Sequence, residues 1–141
     1  MPSQTEVIAL LKGIDLFADL SRKEYAVMAD CLRPMSHDDG EEIVVEGASD
    51  GRFFIVTSGT VVAWKGGRKL ATFGSGQYFG EISLIDRGPR TATVTATGPV
   101  TTLSAASFSF RPVLKANPEM VHKLLVKMCE RVRVLDSRLV G

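Results

Sequence analysis

The sequence predicts a mainly β fold, a jelly-roll-like double sheet or barrel flanked by helices at both ends. Three observations lead there. From Pro34 to about Ala106 the apolar residues fall in short runs separated by glycine turns, the pattern of many short strands. Gly66-Gly67 stands between two of these runs at the spacing of a tight hairpin. On either side the apolar residues recur every three to four positions instead, as they do along one face of a helix.

Taken from the N-terminus, residues 4–12 place Val7, Ile8, Leu10 and Leu11 at helical spacing, with Gly13 as the expected stop. Leu16 and Phe17 form an apolar plug. Ser21 and Glu24 have the spacing of a capping box, in which each side chain satisfies the other residue's backbone N–H. The helix it opens is expected to run through Leu32, with Tyr25, Met28, Ala29 and Leu32 on one face and Pro34 ending it. Strands are expected at 43–46, 53–57, 61–65, 68–73, 91–97 and 100–104. Phe108 to Leu114 reads as a short helical piece. Asn117-Pro118-Glu119 then supplies a cap and a proline at the first helical position, opening a helix to about Leu139. No repeat, low-complexity tract or linker divides the chain. Residues 1–141 therefore read as one domain, with helices over 1–33, β-structure over 34–106 and helices over 107–141.

At 141 residues the chain is long enough to bury a normal core. Its 45% hydrophobic and 23% charged residues are ordinary for a globular protein. A net charge of +1 offers no electrostatic basis for direct nucleic-acid binding or for holding an anionic membrane. No apolar run approaches about 18 residues, so no membrane insertion is expected. The N-terminus carries Glu6 and lacks the basic and long apolar regions of a signal peptide. Cys31 and Cys129 fall on two separate predicted helices and read as reduced thiols, a cytoplasmic pattern.

The most informative stretch is residues 79–94, Phe-Gly-Glu-Ile-Ser-Leu-Ile-Asp-Arg-Gly-Pro-Arg-Thr-Ala-Thr-Val. Gly80 has no Cβ, so a ligand can approach its N–H closely. Glu81 to Ile85 reads as about a turn and a half of helix, whose first N–H groups suit an anion. Pro89 stops that helix, because it donates no N–H and pushes Gly88 away from helical angles. Arg90 leaves the turn with a planar fork suited to gripping a phosphate at two oxygens. Glu81 repels a phosphate, so its expected partner is a hydroxyl. Phosphate donors beside a hydroxyl acceptor are what a sugar phosphate requires.

This run resembles the phosphate-binding cassette of cyclic nucleotide-binding domains, as found in protein kinase A regulatory subunits, catabolite activator proteins and cyclic-nucleotide-gated channels. The likeness extends to Leu-Phe-Ala-Asp-Leu-Ser (16–21), Gly-Glu-Glu-Ile-Val-Val-Glu-Gly (40–47) and Phe-Phe-Ile-Val-Thr-Ser-Gly-Thr-Val (53–61), and so covers about residues 14–120. Its specificity lies in an Arg nine residues after the Glu, with glycines in step upstream. The resemblance implies an eight-stranded barrel with an N-terminal helical bundle and a long C-terminal helix. It implies a regulatory sensor of a cyclic nucleotide monophosphate, with cAMP expected ahead of cGMP. In that reading Glu81 takes the ribose 2′-hydroxyl and Arg90 the cyclic phosphate. Gly80, Glu81, Ile82 and Ser83 complete the phosphate cradle through backbone N–H groups, beside Phe79. Ala63, Leu70 and Phe73 line the base and ribose pocket, or serve simply as barrel core.

Other residues leave alternatives open. Thr91 follows Arg90, and its hydroxyl suits a phosphate oxygen, a purine amino group or merely a strand start. His37 and His122 are isolated, with no His-x-His pair or neighbouring Cys to suggest a metal site. No Gly-x-Ser-x-Gly pattern supports a nucleophilic enzyme, and the histidine count argues against a cupin-type one. In the last helix Val121, Leu125, Met128, Val132, Leu135 and Leu139 recur at heptad spacing. That stripe fits packing on its own barrel, a lid over a bound base, or a dimer through the helix. Arg131, Arg133 and Arg138 are candidates for stacking on a purine or for a solvated basic face. No effector segment is legible, so the expected output partner is another protein or a fused domain. A protein-interaction module that does not respond to nucleotide is the rival reading.

Overall fold

The computed structural model of the chain describes the backbone of residues 2–140 and the side chains of residues 2–136. The chain divides into two compact units, one of Cys31–Arg111 and one of Pro2–Asp30 with the segment from Pro112 onward.

The first unit is the β-structure. Its strands are β1 (Arg33–His37), β2 (Glu42–Val44), β3 (Arg52–Lys65), β4 (Arg68–Phe73), β5 (Tyr78–Phe79) and β6 (Thr93–Ala106). All pairings are antiparallel, in the order β1-β6-β3-β4, with β2 also on β6 and β5 also on β3. Among the described residues the sheet thus has six strands and no pairing closes it, where an eight-stranded barrel was expected.

The difference has a local cause. β3 and β6 are 14 residues each, and each absorbs two of the expected strands. Gly59, read as a turn, sits inside β3 with φ 89°, within the register shift between Ser58 and Thr60. A Cβ built there would lie 2.5 Å from the carbonyl oxygen of Pro99 on the facing strand. The glycine therefore marks a bulge that bends a continuous strand, not a break between two. Pro34 does not merely end a helix but lies in β1, a sheet-edge strand where its missing N–H is tolerated. Gly66-Gly67 closes the β3–β4 hairpin as its spacing predicts, with Lys65 opposite Arg68.

The core of this unit collects Val44, Phe54, Val56, Val61, Ala63, Phe79, Val94, Ala96 and Val100. Phe54 and Phe79 stack at 5.1 Å, and Phe73 tilts against Phe79 at 6.1 Å.

The second unit holds α1 (Gln4–Lys12), a 3-10 turn over Asp15–Phe17, α2 (Arg22–Ala29) and α5 (Pro118–Val140). The capping box at Ser21 and Glu24 is formed at both ends. α2 ends at Ala29, three residues short of expectation, so Cys31 lies in a turn and not on a helix. The expected N-terminal bundle is two short helices that cluster with α5. Ion pairs at successive turns of α5 reach the N-terminal segment: Lys123 to Glu24 on α2 at 2.7 Å, Lys127 to Asp19 at 3.1 Å and Arg131 to Asp15 of the 3-10 turn at 3.7 Å. α4 (Ser107–Ala116), longer than the expected 108–114 piece, runs across the boundary between the units. Asn117, expected to cap α5 with its side chain, turns its amide back to the Val113 carbonyl at 2.7 Å.

The heptad stripe on α5 is not packed away. Val121, Leu125, Val132 and Leu135 are exposed and Met128 is half-buried, while Met120 and Leu124 are buried. Leu139 and Arg138 lie outside the described side chains. Arg131, a candidate for purine stacking, is engaged by Asp15.

Candidate functional site

The sequence of residues 79–94 folds as its chemistry dictates. Gly80 takes the left-handed conformation, φ 85° and ψ 13°, at the cap of α3 (Glu81–Asp86). No side chain fits there: a Cβ would meet Arg90 Nη1 at 2.6 Å and the Arg52 carbonyl at 2.7 Å. Within α3, Leu84 N–H donates to the Gly80 carbonyl at 3.2 Å and Leu84 is buried. The N–H groups of Ile82 and Ser83 precede that first helical bond, so the helix itself offers them no partner. Arg87 ends α3 in the left-handed region at φ 56°, and the Asp86 carboxylate accepts the Gly88 N–H at 2.7 Å. This tightens the turn that Pro89 completes.

Arg90 is gripped along its length by the loop before β3. Its N–H donates to the Ala48 carbonyl at 2.7 Å, and its carbonyl accepts from Gly47 N–H at 2.8 Å. Its Nη2 donates to the Asp50 carboxylate and to the Arg52 carbonyl. The residue is 6% exposed, yet its Nε has no hydrogen-bond partner. A buried guanidinium N–H left without a partner costs about 1–3 kcal/mol, so this donor calls for an acceptor.

These elements wall a cavity of about 370 Å³, a size in the range of small-molecule sites. Phe79, Gly80, Glu81, Ile82, Ser83, Arg90, Thr91, Ala63 and Phe73, nine of the ten residues singled out in the sequence, line it. Leu70 does not, and is 55% exposed. The reason is register: Ala63 pairs with Ala71 and Trp64 with Lys69, so Leu70 is the extra residue of a bulge. Val44 and Val94 add apolar wall from β2 and β6, and Asp86, Gly88, Pro89 and Ala92 complete the lining. A second cavity of about 470 Å³ shares the Phe73, Phe79, Gly80 and Glu81 wall and adds Gln77 and Tyr78.

Sequence reasoning missed Asp50 and the whole 47–52 loop as parts of this site. The glycine-rich Gly47-Ala48-Ser49-Asp50-Gly51 run signals a turn but not which side chain it grips forty residues away. Asp86 stood in the quoted run without a role. Among the described residues no group of three or more His, Cys, Asp or Glu is placed to hold a metal ion, and no helix is long and apolar enough to cross a membrane.

Comparison with known proteins agrees with this geometry. The family model described as "Cyclic nucleotide-binding domain" matches residues 34–117. A cAMP-dependent protein kinase regulatory subunit of Yarrowia lipolytica is 36% identical over 115 residues, 79% of this chain and 31% of that protein. A cGMP-dependent protein kinase of Eimeria tenella is 30% identical over 131 residues, 93% of this chain and 13% of that protein. The chain thus spans less than a third of the length of either relative. The crystal structure of the N-terminal domain of a transcriptional regulator from Streptomyces coelicolor superimposes with a TM-score of 0.82 at 30% identity, covering 92% of this chain and 94% of that one.

Proposed function

This chain belongs to the cyclic nucleotide-binding domain family, and we propose that it is a non-catalytic, cytoplasmic regulatory sensor of a cyclic nucleotide monophosphate, with cAMP as the first candidate and cGMP as the second. The carrying observation is the buried Arg90 in the cavity wall with an unpartnered Nε. A cyclic phosphate oxygen satisfies that donor and places a negative charge against a fixed positive one. Glu81 then accepts from the ribose 2′-hydroxyl, while the backbone of Gly80 to Ser83 faces the remaining phosphate oxygens. Val44, Ala63, Phe73 and Phe79 supply apolar surface for ribose and base, and Leu70 has no part in it. The relatives named for cAMP and for cGMP leave the base undecided, and Thr91 on the lining is the residue proposed to discriminate.

The output is proposed to run through α5 to a partner protein or a fused domain, with residues 1–141 acting as one sensory module. The exposed stripe on α5 supports a dimer through this helix as the second reading of its role. Calorimetric titration of the chain with cAMP and with cGMP tests the function. Saturable binding of either, weakened by Arg90→Ala, supports the sensor. Binding of neither would leave the protein-interaction module as the better reading.

A further inference from the structure

Behind the cavity wall one buried side chain is hydrogen-bonded at both ring nitrogens. His37, the last residue of β1, is 3% exposed. Its Nδ1 lies 2.6 Å from Oε2 of Glu41, and its Nε2 lies 2.9 Å from Oγ1 of Thr102 on β6. The ring meets Phe54 edge to face, with centroids 6.0 Å apart. Phe54 stacks on Phe79 at 5.1 Å, and Phe79 lines the cavity. Thr102 is 1% exposed, so the Thr-His-Glu array is no accessible nucleophile. Its reach is toward the cavity.

We propose that His37 is a positioning residue of the cavity, acting through Phe54 and Phe79, and that its charge sets how tightly the cavity holds an anionic ligand. The proposal rests on the nucleotide reading above. Imidazole is the side chain that changes charge in the physiological pH range. The groups facing it are Glu41 from the 38–41 turn, Thr102 from β6 and Phe54 from β3. Asp38, next to it in sequence, gives its N–H to Oε1 of Glu41 at 3.3 Å. With the ring neutral, Nδ1–H donates to Glu41 and Nε2 accepts the Thr102 hydroxyl. Protonation makes Nε2 a donor and Thr102 an acceptor, and it cancels the carboxylate's charge.

Two consequences favour a bound anion. The negative potential of Glu41 near the sheet disappears, and the ring, drawn toward Glu41, shifts its edge on Phe54. Packed interiors do not deform independently at neighbouring rings, so Phe79 follows. By linkage, a proton that strengthens nucleotide binding is itself taken up when nucleotide binds.

The test is calorimetric titration of the intact chain with cAMP and cGMP from pH 5.5 to 8, in buffers of different ionisation enthalpy. The expected result is an affinity about fivefold higher at the acid end, with proton uptake on binding. His37→Gln retains hydrogen-bonding groups for Glu41 and Thr102 but takes no proton, and its affinity is expected to be flat with pH. A flat profile for the parent chain overturns the proposal, as does an unchanged profile in His37→Gln. A second readout needs no nucleotide. In a sample with isotopically labelled Phe and His, the ring signals of Phe54 and Phe79 are expected to move with the titration of His37. Ring signals that stay fixed while His37 titrates, or a His37 that does not titrate in this range, also overturn it. If neither nucleotide binds at any pH while the rings still track His37, the nucleotide reading fails and the positioning role stands.

Discussion

Arg90 holds three positions at once: its backbone pins the 47–48 loop, its Nη2 engages Asp50 and the Arg52 carbonyl, and its buried Nε has no partner. Arg90→Ala is therefore expected to weaken cyclic nucleotide binding by about 2–4 kcal/mol, roughly 30- to 1000-fold. Because the structural hydrogen bonds go with it, the same variant is expected to lose about 1 kcal/mol of folding stability. Titration and denaturant unfolding measure the two effects separately, and parental cAMP affinity in Arg90→Ala sinks the phosphate assignment. Leu70→Ala is the control: an exposed bulge residue off the cavity is expected to leave affinity within about twofold. Thr91→Ala is expected to cost cGMP about 1 kcal/mol more than cAMP, the size of one hydrogen bond, if its hydroxyl meets the guanine amino group. Equal losses for both nucleotides would assign that hydroxyl to the phosphate instead.

At the level of elements, the bend in β3 and the ion pair that links α2 to α5 each rest on one chemical feature. Gly59→Ala places a Cβ against the Pro99 carbonyl at a φ of 89°. The expected cost is about 1–3 kcal/mol for the strained backbone alone, read as a lowered unfolding midpoint. Burial pushes the Glu24 carboxyl up, but the hydrogen bonds from Lys123 and from the Ser21 backbone outweigh it and hold the group below its ordinary 4.5. A carboxyl depressed in the folded state contributes stability above its unfolded value and loses it as pH falls through the folded one. The helical unit is therefore expected to lose stability as pH falls below about 4.5, and its acid transition to follow from there. Lys123→Met removes the partner and is expected to move that transition upward in pH. An acid transition in Lys123→Met at the parental pH would show that the pair contributes nothing. Glu41, held low by the His37 hydrogen bond, has the same sign in the β unit.

For the molecule as a whole, α5 carries an apolar stripe of Val121, Leu125, Val132 and Leu135 that is exposed. A ligand shifts a helix only by binding one arrangement more tightly than another. If α5 is the moving part, hydrogen exchange in 129–136 is expected to slow when cAMP is added. Deletion after Met128 is then expected to leave a folded β unit with weaker binding. If the stripe instead pairs two copies, exchange there is slow without nucleotide and the chain sediments as a dimer at micromolar concentration. The second outcome would remove the lid and keep the sensor.

Much of this was legible because it depends on neighbours in sequence. The turn into α3, the Gly80 cap, the proline stop, the capping box at Ser21 and the Gly66-Gly67 hairpin are each decided within a few residues by backbone sterics and by local hydrogen bonds. The helical spacing of α5 fixed its extent for the same reason. What the sequence left undetermined depends on pairing at long range. Whether Gly59 is a turn or a bulge is decided by the strand that faces it, and Leu70 leaves the cavity because one extra residue in β4 shifts its register. The grip of Asp50 on Arg90 spans 40 positions and the bond from His37 to Thr102 spans 65. No local propensity encodes such contacts, because they arise only when strands far apart in sequence have paired and fixed their register.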